Sequence, residues 1–101
     1  MSVTAVVPTL NEEENILACL ESLNWAASRV VFDCFSDDRT VELAREGGVQ
    51  VLQHPFENFA QFHNAAMEHV EAAWILFVDA DERVTPELAA EIQTVTNEDG
   101  P

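Results

Sequence analysis

Lysine is missing from this 101-residue sequence, and four arginines stand against 19 aspartates and glutamates. The formal net charge of −15 argues against nucleic acid as a partner, because phosphate binding requires clustered Lys and Arg. It argues equally against an anionic membrane surface. An acidic surface without lysine is also what a salt-rich cytoplasm would favour, so salt adaptation stays open as an explanation of the charge.

Cysteines and long apolar runs are also scarce. Two cysteines do not make a disulfide framework, so a reducing cytoplasm is the expected location. The longest apolar run, Ala72–Val78, is too short to cross a bilayer, and no basic segment marks a secretory signal. Since 48% of the residues are apolar, we expect one globular domain over residues 1–101.

The apolar pattern predicts an α/β fold. Short runs rich in β-branched and aromatic residues predict four strands: Val3–Val7, Val30–Phe32, Val49–Leu52 and Trp74–Val78. Helical patterns follow each strand; the third runs from Phe59 to Val70, and the fourth starts at Thr85-Pro86 and fades near Thr94. The order βαβαβαβα predicts a Rossmann-like, doubly wound, mostly parallel four-stranded sheet, for which the common strand order is 3-2-1-4.

Cap residues predict where the first two helices begin. Asn11 is expected to cap the first helix, because the acids Glu12–Glu14 would then occupy its first turn, at the positive end of the helix dipole. Ser36 or Asp37 is expected to cap the second helix, which Gly47–Gly48 ends.

Polar segments follow three of the predicted strands: Pro8–Glu12, Asp33–Asp38 and Asp79–Glu82. Ligands of open α/β sheets bind at the carboxyl ends of the strands, near the point where the strand order reverses. With the order 3-2-1-4, these three segments would converge in one crevice. The sequence therefore predicts the functional site there.

Asp79 and Asp81 give the sharpest signal. They flank one small residue directly after a predicted buried strand, and residues i and i+2 of an extended segment point to the same side. Both carboxylates could then face one cation, with Glu82 beside them. Mg²⁺ or Mn²⁺ takes one or two protein carboxylates plus ligand phosphates, and such an ion would remove the repulsion between a diphosphate and this acidic chain. The alternative is an acidic turn that caps the next helix.

The other candidates carry weaker signals. Thr9 could contact a base or ribose, or simply belong to a turn. Asp33 could accept a hydrogen bond from a nucleobase N–H, or be an ordinary loop acid. His63 either faces the cleft or packs. The phenylalanines at 56, 59 and 62 are interpreted as core rather than as a cofactor site.

Three segments resemble the motifs of family 2 glycosyltransferases of the GT-A fold, in order and spacing: Val6–Ile16, Asp33–Thr40 and Trp74–Glu82. His54–Phe59 is similar to a subgroup that includes lipopolysaccharide-core glucosyltransferase-like proteins. The resemblance implies the N-terminal, nucleotide-sugar-binding half of an inverting glycosyltransferase. It also implies a UDP-sugar donor, Mg²⁺ or Mn²⁺ on its diphosphate, and an acceptor in lipopolysaccharide or another cell-envelope glycan.

Carried over by position, the resemblance assigns eight residues to the nucleotide-sugar site: Pro8, Thr9, Asn11, Glu12, Asp33, His63, Asp79 and Asp81. Asp33 would lie beside the base, Asp79 near the ribose or the metal, and Asp81 on the metal.

The sequence departs from the family pattern in several places. Many members have Asp-Asp-Gly-Ser in the second loop, where this chain has Cys34 for the second Asp and Phe35 for the Gly. The third helix has Phe62 and His63 where the subgroup usually has Gln followed by Arg or Lys. The family's catalytic domain is about twice this size. No general base is found in the sequence, so the acceptor-binding half is expected to be absent and transfer by this chain alone to be weak or absent.

Two other classes of function remain. A truncated sheet with open edges could be a non-catalytic remnant that acts as a binding module or forms homo-oligomers. A phospho-receiver domain would also cluster acids and Mg²⁺ at strand ends. It needs an acidic pair after the first strand and a Lys after a later one, whereas this chain has Pro8-Thr9 and no lysine.

Overall fold

The computed structural model describes residues 3–70 and 72–98. Four strands and four helices alternate along the chain: β1 (Val3–Thr9), α1 (Ile16–Glu21), β2 (Ser28–Asp33), α2 (Thr40–Glu46), β3 (Gln50–Gln53), α3 (Phe59–His69), β4 (Trp74–Phe77) and α4 (Pro86–Glu98). All strand pairs are parallel and the sheet order is β3-β2-β1-β4, which confirms the predicted fold class and strand order. No helix in the described ranges is both long and apolar enough to cross a membrane.

Side chains of the central strand β1 alternate between two cores, because successive residues of a strand point to opposite faces. Ala5 and Val7 are buried with α1, Ala44 of α2 and Ala89 of α4, whereas Val6 is buried with α3. Helices therefore cover both faces of the sheet, as a doubly wound fold requires. The loops that follow β1, β2 and β4 gather at the carboxyl edge of the sheet.

The predicted cap of α1 is wrong. Asn11 has φ 56°, in the left-handed region that Asn tolerates better than most residues, and α1 begins only at Ile16. The backbone N–H groups of Asn15 and Ile16 both donate to the carbonyl oxygen of Glu12, at 3.0 and 2.9 Å. Glu12–Glu14 therefore form a turn ahead of the helix rather than its first turn.

The predicted start of α2 is also wrong, and for a related reason. Ser36 and Asp37 belong to the loop, whereas Asp38 Oδ1 accepts from the backbone N–H of Thr40 at 2.9 Å, where α2 begins. The helix ends at Glu46 with Gly47 as its C-cap, which confirms the predicted end at Gly47–Gly48.

The other two helices begin at side-chain caps. Asn58 Oδ1 accepts from the backbone N–H of Gln61 at 2.8 Å and starts α3. Thr85 Oγ1 accepts from the backbone N–H of Leu88 at 3.1 Å, which confirms the predicted start of α4. That helix continues to Glu98, beyond the predicted end near Thr94.

Candidate functional site

A pocket of about 240 Å³ opens at the carboxyl edge of the sheet. Part of its lining comes from the end of β1 and from the loops that follow β1, β2 and β4; these residues are Pro8, Thr9, Leu10, Cys34 and Asp79. The predicted convergence of these loops is therefore confirmed. Of the eight residues expected in the site, Pro8, Thr9 and Asp79 lie on the pocket wall.

Three phenylalanines close the remaining side of the pocket. Phe56 lies in the loop after β3, with its ring centroid 5.1 Å from Phe59 and 5.7 Å from Phe62. Phe62 is buried against Phe32, as expected of core, but Phe56 and Phe59 are 44% and 75% exposed. The interpretation of all three as core is thus wrong for two of them. Pro55 and Asn58, a turn residue and a helix cap, were the signal that a loop presents these rings.

Asp33 lies beneath the pocket and is completely buried. Its Oδ1 accepts from the hydroxyls of Thr9 and Ser36, both at 2.6 Å. Its Oδ2 accepts from the backbone N–H of Ser36 at 2.8 Å and from Gln53 Nε2 at 3.3 Å. A carboxylate has about four lone-pair positions, and all are used here. Asp33 thus links the ends of β1 and β3 to the β2 loop, and the base contact predicted for it stays a prediction.

Asn11 joins the β1 loop to the β2 loop. Its backbone N–H donates to Ser36 Oγ, and its Oδ1 accepts from the backbone N–H of Asp37, both at 2.8 Å. The left-handed backbone of Asn11 allows both contacts at once. Asn11 is exposed and is not among the lining residues of the pocket. Its contacts therefore hold the β1 and β2 loops together.

Glu12 and Glu13 continue this connection through their backbones. The N–H of Glu12 donates to Thr40 Oγ1 at 2.9 Å, and that of Glu13 donates to Asp38 Oδ2 at 3.1 Å. Burial alone would raise the pKa of Asp38, but hydrogen bonds from Thr40 and Glu13 outweigh it and hold that pKa below its usual value. Asp38 is therefore a fixed anion that ties the loops together.

The segment after β4 is a turn rather than the extended segment that was predicted. The backbone N–H of Glu82 donates to the carbonyl of Asp79, and the backbone N–H of Asp79 donates to Glu82 Oε1, both at 2.9 Å. Glu82 is thus engaged within the turn. Asp79 and Asp81 are both exposed, and Asp79 reaches the pocket wall.

Arg83 fastens this turn to α1. Its guanidinium donates to the carbonyls of Ala80 and Glu82, each at 2.8 Å, and to Asn15 Oδ1 at 3.1 Å. Beneath the turn, the Cys19 thiol donates to the carbonyl of Asp79 at 3.7 Å. Burial, with the charges of the nearby acids, raises the pKa of Cys19 to about 11, so this thiol stays protonated and unreactive near neutral pH.

The donor set of the turn suits a divalent ion that arrives with its ligand. Within residues 3–70 and 72–98, no three His, Cys, Asp or Glu side chains converge on a common metal position. Two exposed carboxylates, from Asp79 and Asp81, are the protein ligands that Mg²⁺ typically uses when phosphates supply the rest. These residues therefore fit an ion carried by a diphosphate and do not fit an all-protein metal site.

His63 packs instead of facing the pocket. Its ring is half-buried and stacks on Phe77, with centroids 4.4 Å apart and an interplanar angle of 25°. Of the two possibilities left by the sequence, the structure therefore favours packing. The pocket residues that were not among the predicted site residues are Leu10, Cys34, Phe56, Phe59 and Phe62.

The chain is similar in sequence to known glycosyltransferases. The glycosyl transferase family 2 model matches residues 4–101. The lipopolysaccharide core biosynthesis glycosyltransferase LpsC of Rhizobium meliloti is 30% identical over 89 residues, which are 83% of this chain and 33% of that protein. The low-salt glycan biosynthesis hexosyltransferase Agl6 of Haloferax volcanii is 34% identical over 86 residues, 79% of this chain and 21% of that protein. The chain spans about a third of the length of the first curated relatives it matches.

Solved structures share the fold. S. aureus TarS in complex with UDP-GlcNAc has a TM-score of 0.77 at 24% identity, covering 97% of this chain and 32% of that chain. Glucosyl-3-phosphoglycerate synthase from Mycobacterium tuberculosis, with Mn²⁺, UDP and glucosyl-3-phosphoglycerate, has a TM-score of 0.76 at 18% identity, covering 95% and 38%. The family match extends over nearly the whole chain, and so this chain belongs to glycosyl transferase family 2.

Proposed function

We propose that this chain forms the donor-binding part of an inverting glycosyltransferase that uses a nucleotide-diphospho-sugar, most often a UDP-sugar. The observation that carries the proposal is the pocket between the β1, β2 and β4 loops, with Asp79 in its wall and Asp81 exposed beside it. Two proteins of similar fold were crystallised with UDP or UDP-GlcNAc, one of them with Mn²⁺ as well, which supports the proposal.

In this proposal, four of the eight candidate residues contact the metal or the nucleotide, and the other four support the pocket. Asp79 and Asp81 would hold Mg²⁺ or Mn²⁺, and the bound ion would neutralise the charge of the leaving diphosphate. Pro8 and Thr9 would line the base and ribose. The remaining candidates, Asn11, Glu12 and Asp33, would shape the pocket through the hydrogen bonds between loops, and His63 would support α3 against the sheet.

The charge of the chain makes the cation necessary. A diphosphate approaching a domain of net charge −15 is repelled. Arg83, the arginine next to the turn, already donates hydrogen bonds to Ala80, Glu82 and Asn15. A divalent ion between two carboxylates and the diphosphate turns this repulsion into attraction. Donor binding should therefore depend on the metal.

In the complete reaction, an acceptor hydroxyl would displace the nucleoside diphosphate at the anomeric carbon. We assign the general base and the acceptor site to the two thirds of the family's length that this chain does not match. One relative, named for lipopolysaccharide core biosynthesis, suggests a cell-envelope acceptor. The proposal includes a cytoplasmic location, at the inner face of the membrane if the acceptor is lipid-linked.

Calorimetric titration tests the donor site directly. UDP and UDP-glucose would be titrated into the chain with and without Mn²⁺, using the wild type and Asp81→Ala. We expect Mn²⁺ to strengthen binding by at least about tenfold and Asp81→Ala to remove that gain. Glu91→Ala, on the exposed side of α4, removes the same charge far from the turn and should bind like the wild type. Absence of binding under every metal condition would contradict the proposal.

A second candidate, a homo-oligomeric module, is supported by the β4 edge. Within the described residues β4 pairs only with β1, and the indole Nε1 of Trp74 is buried without a hydrogen-bond partner. Leu88 and Val95 of α4 are also exposed. Sedimentation at low and high salt separates the two candidates, because a dimer of this acidic chain should strengthen as salt screens its charge. A monomer at all salt concentrations would remove this candidate.

A further inference from the structure

The base side of the pocket is built almost entirely from apolar groups. Phe56, Phe59 and Phe62 form one wall, and Pro8 and Leu10 lie among the lining residues from the β1 loop. Aromatic walls hold a planar base by stacking, which every nucleobase permits because each has a π-face. Stacking supplies affinity without reading the pattern of donors and acceptors on the base.

Polar side chains that could read that pattern are occupied or unsuited. The Thr9 hydroxyl gives its one proton to Asp33, and Thr9 is only 4% exposed. The Asp33 carboxylate is fully buried and accepts four hydrogen bonds, that of Thr9 included. Cys34 supplies only a thiol, which is a weak donor and a weak acceptor. Asp79, the remaining polar side chain of the wall, is assigned by the proposed function to the metal.

A site that hydrogen-bonds its ligand and a site that only stacks on it differ greatly in how strongly they discriminate between similar ligands. A site that hydrogen-bonds its substrate rejects an analogue lacking that group by about 10⁴-fold or more, whereas an apolar pocket separates similar substrates by only about 10- to 200-fold. Asp33 already accepts four hydrogen bonds and Cys34 offers only a thiol, so among the described lining residues no side chain is left free for the first kind of recognition.

We propose, on the basis of the proposed donor site, that this chain selects its donor through the metal-bound diphosphate and holds the base by stacking, with weak discrimination among nucleobases. The substrate class is then nucleoside-diphospho-sugars in general rather than UDP-sugars alone. Phe59 and Phe56 supply the stacking surface, and Cys34 is the position in the wall where the base meets neither a strong donor nor a strong acceptor.

The test is competition binding of UDP, CDP, TDP, GDP and ADP in the presence of Mn²⁺, with pyrophosphate as a probe that has no base. We expect the pyrimidine nucleotides to bind within about tenfold of one another, purines to fall within about 200-fold, and all of them to bind more tightly than pyrophosphate. A preference for UDP over CDP of about 100-fold or more would overturn the inference and leave the proposed donor site intact. Failure of pyrophosphate and of every nucleotide to bind would overturn both.

Two substitutions separate stacking from hydrogen bonding. Phe59→Ala removes a largely exposed ring, and we expect it to weaken every nucleotide by about tenfold while leaving pyrophosphate unchanged. Met67→Ala, an exposed apolar side chain of α3 outside the pocket, is the matched control and should change neither. Losses in Phe59→Ala that differ by more than about tenfold between UDP and CDP would contradict the inference, because stacking alone barely distinguishes two pyrimidines.

Cys34→Asp should create the selectivity that the wild type lacks. A carboxylate on the pocket wall would accept from the N3–H of uracil but repel the N3 lone pair of cytosine. We expect the ratio of UDP to CDP affinity to rise by about tenfold, whereas Cys34→Ala should leave it unchanged. An unchanged ratio in a folded Cys34→Asp variant would count against the placement of the base beside Cys34.

Discussion

The β2 loop (residues 34–39) and the β4 turn (residues 79–82) carry the same side chain to the same edge of the sheet, yet they use it in opposite ways. Asp33 ends β2 and Asp38 lies in the β2 loop, and the carboxylate oxygens of both accept hydrogen bonds from within the protein. Asp79 and Asp81, in the β4 turn, are exposed. The acids of the β2 loop therefore stabilise the fold, whereas those of the β4 turn are available to a ligand.

Neighbouring donors explain the difference. Hydroxyl-bearing residues surround the β2 loop, namely Thr9, Ser36 and Thr40, and these supply partners for any carboxylate that folds inward. The β4 turn contains Ala80 and a second acid, which offer no side-chain donor. An aspartate there lowers its free energy by staying in water until a cation arrives. The role of each acid is therefore set by the residues around it and not by its position after a strand.

Of the substitutions considered, Asp33→Asn should have the largest effect on stability. The substitution places an amide N–H₂ against donors that now lack an acceptor, inside a fully buried site. We expect the free energy of unfolding to fall by about 3 kcal/mol. Asp81→Asn, which removes the same charge from the exposed turn, should change it by less than about 0.5 kcal/mol. Urea unfolding followed by circular dichroism measures both, and equal losses would contradict the contrast between the loops.

Fold and site were predictable from the sequence to different degrees. Short, nearly continuous apolar runs such as Val3–Val7 predicted all four strands and their parallel order, because strands buried on both faces need apolar residues at almost every position. The engagement of Asp33 could not be predicted, since its partners Thr9 and Gln53 lie 24 and 20 residues away along the chain. Local patterns also placed the cap of α1 at Asn11, whereas contacts with Ser36 and Asp37 determine its backbone.

The buried thiol of Cys19 donates to the carbonyl of Asp79 in the β4 turn, so its titration depends on that turn. Its pKa is raised to about 11 from an ordinary value of 9.0, chiefly by burial and further by the charges of Glu82, Asp79 and Asp81. A group with a raised native pKa adds stability below its unfolded pKa, and that stability is lost as the pH rises. We therefore expect the free energy of unfolding to fall by roughly 2 kcal/mol between pH 9 and pH 11.

Urea unfolding across that pH range measures the effect of Cys19. The decline should disappear in Cys19→Ala, although the cavity lowers its stability at every pH, and should persist in Cys34→Ala, which removes the other thiol. A decline that is the same in both variants would assign the titration to other groups.

Arg83→Met tests whether the β4 turn owes its shape to one guanidinium. Three hydrogen bonds would be lost while the apolar stem is kept, so we expect a loss of about 1.5 kcal/mol in unfolding free energy. Mn²⁺-dependent binding of UDP should weaken as well, since the carboxylates of the turn lose their support. Arg29→Met removes an arginine that donates to the Leu20 carbonyl away from the turn, and it should leave binding unchanged.

The smallest expected effect has the opposite sign and concerns the β2 loop. Phe35 has φ 54° where many family members have glycine, and its side chain is 55% exposed, so little packing offsets the left-handed backbone. Phe35→Gly should raise the free energy of unfolding by about 1 kcal/mol, because glycine adopts this conformation without strain from a Cβ. Phe35→Ala is the matched control: it removes the same ring but keeps the Cβ, and it should stay about 1 kcal/mol less stable than Phe35→Gly. Equal melting temperatures for the two variants would show that the loop relaxes without cost, in which case its tight hydrogen bonds to Asp33 and Asn11 do not dictate the backbone at this position.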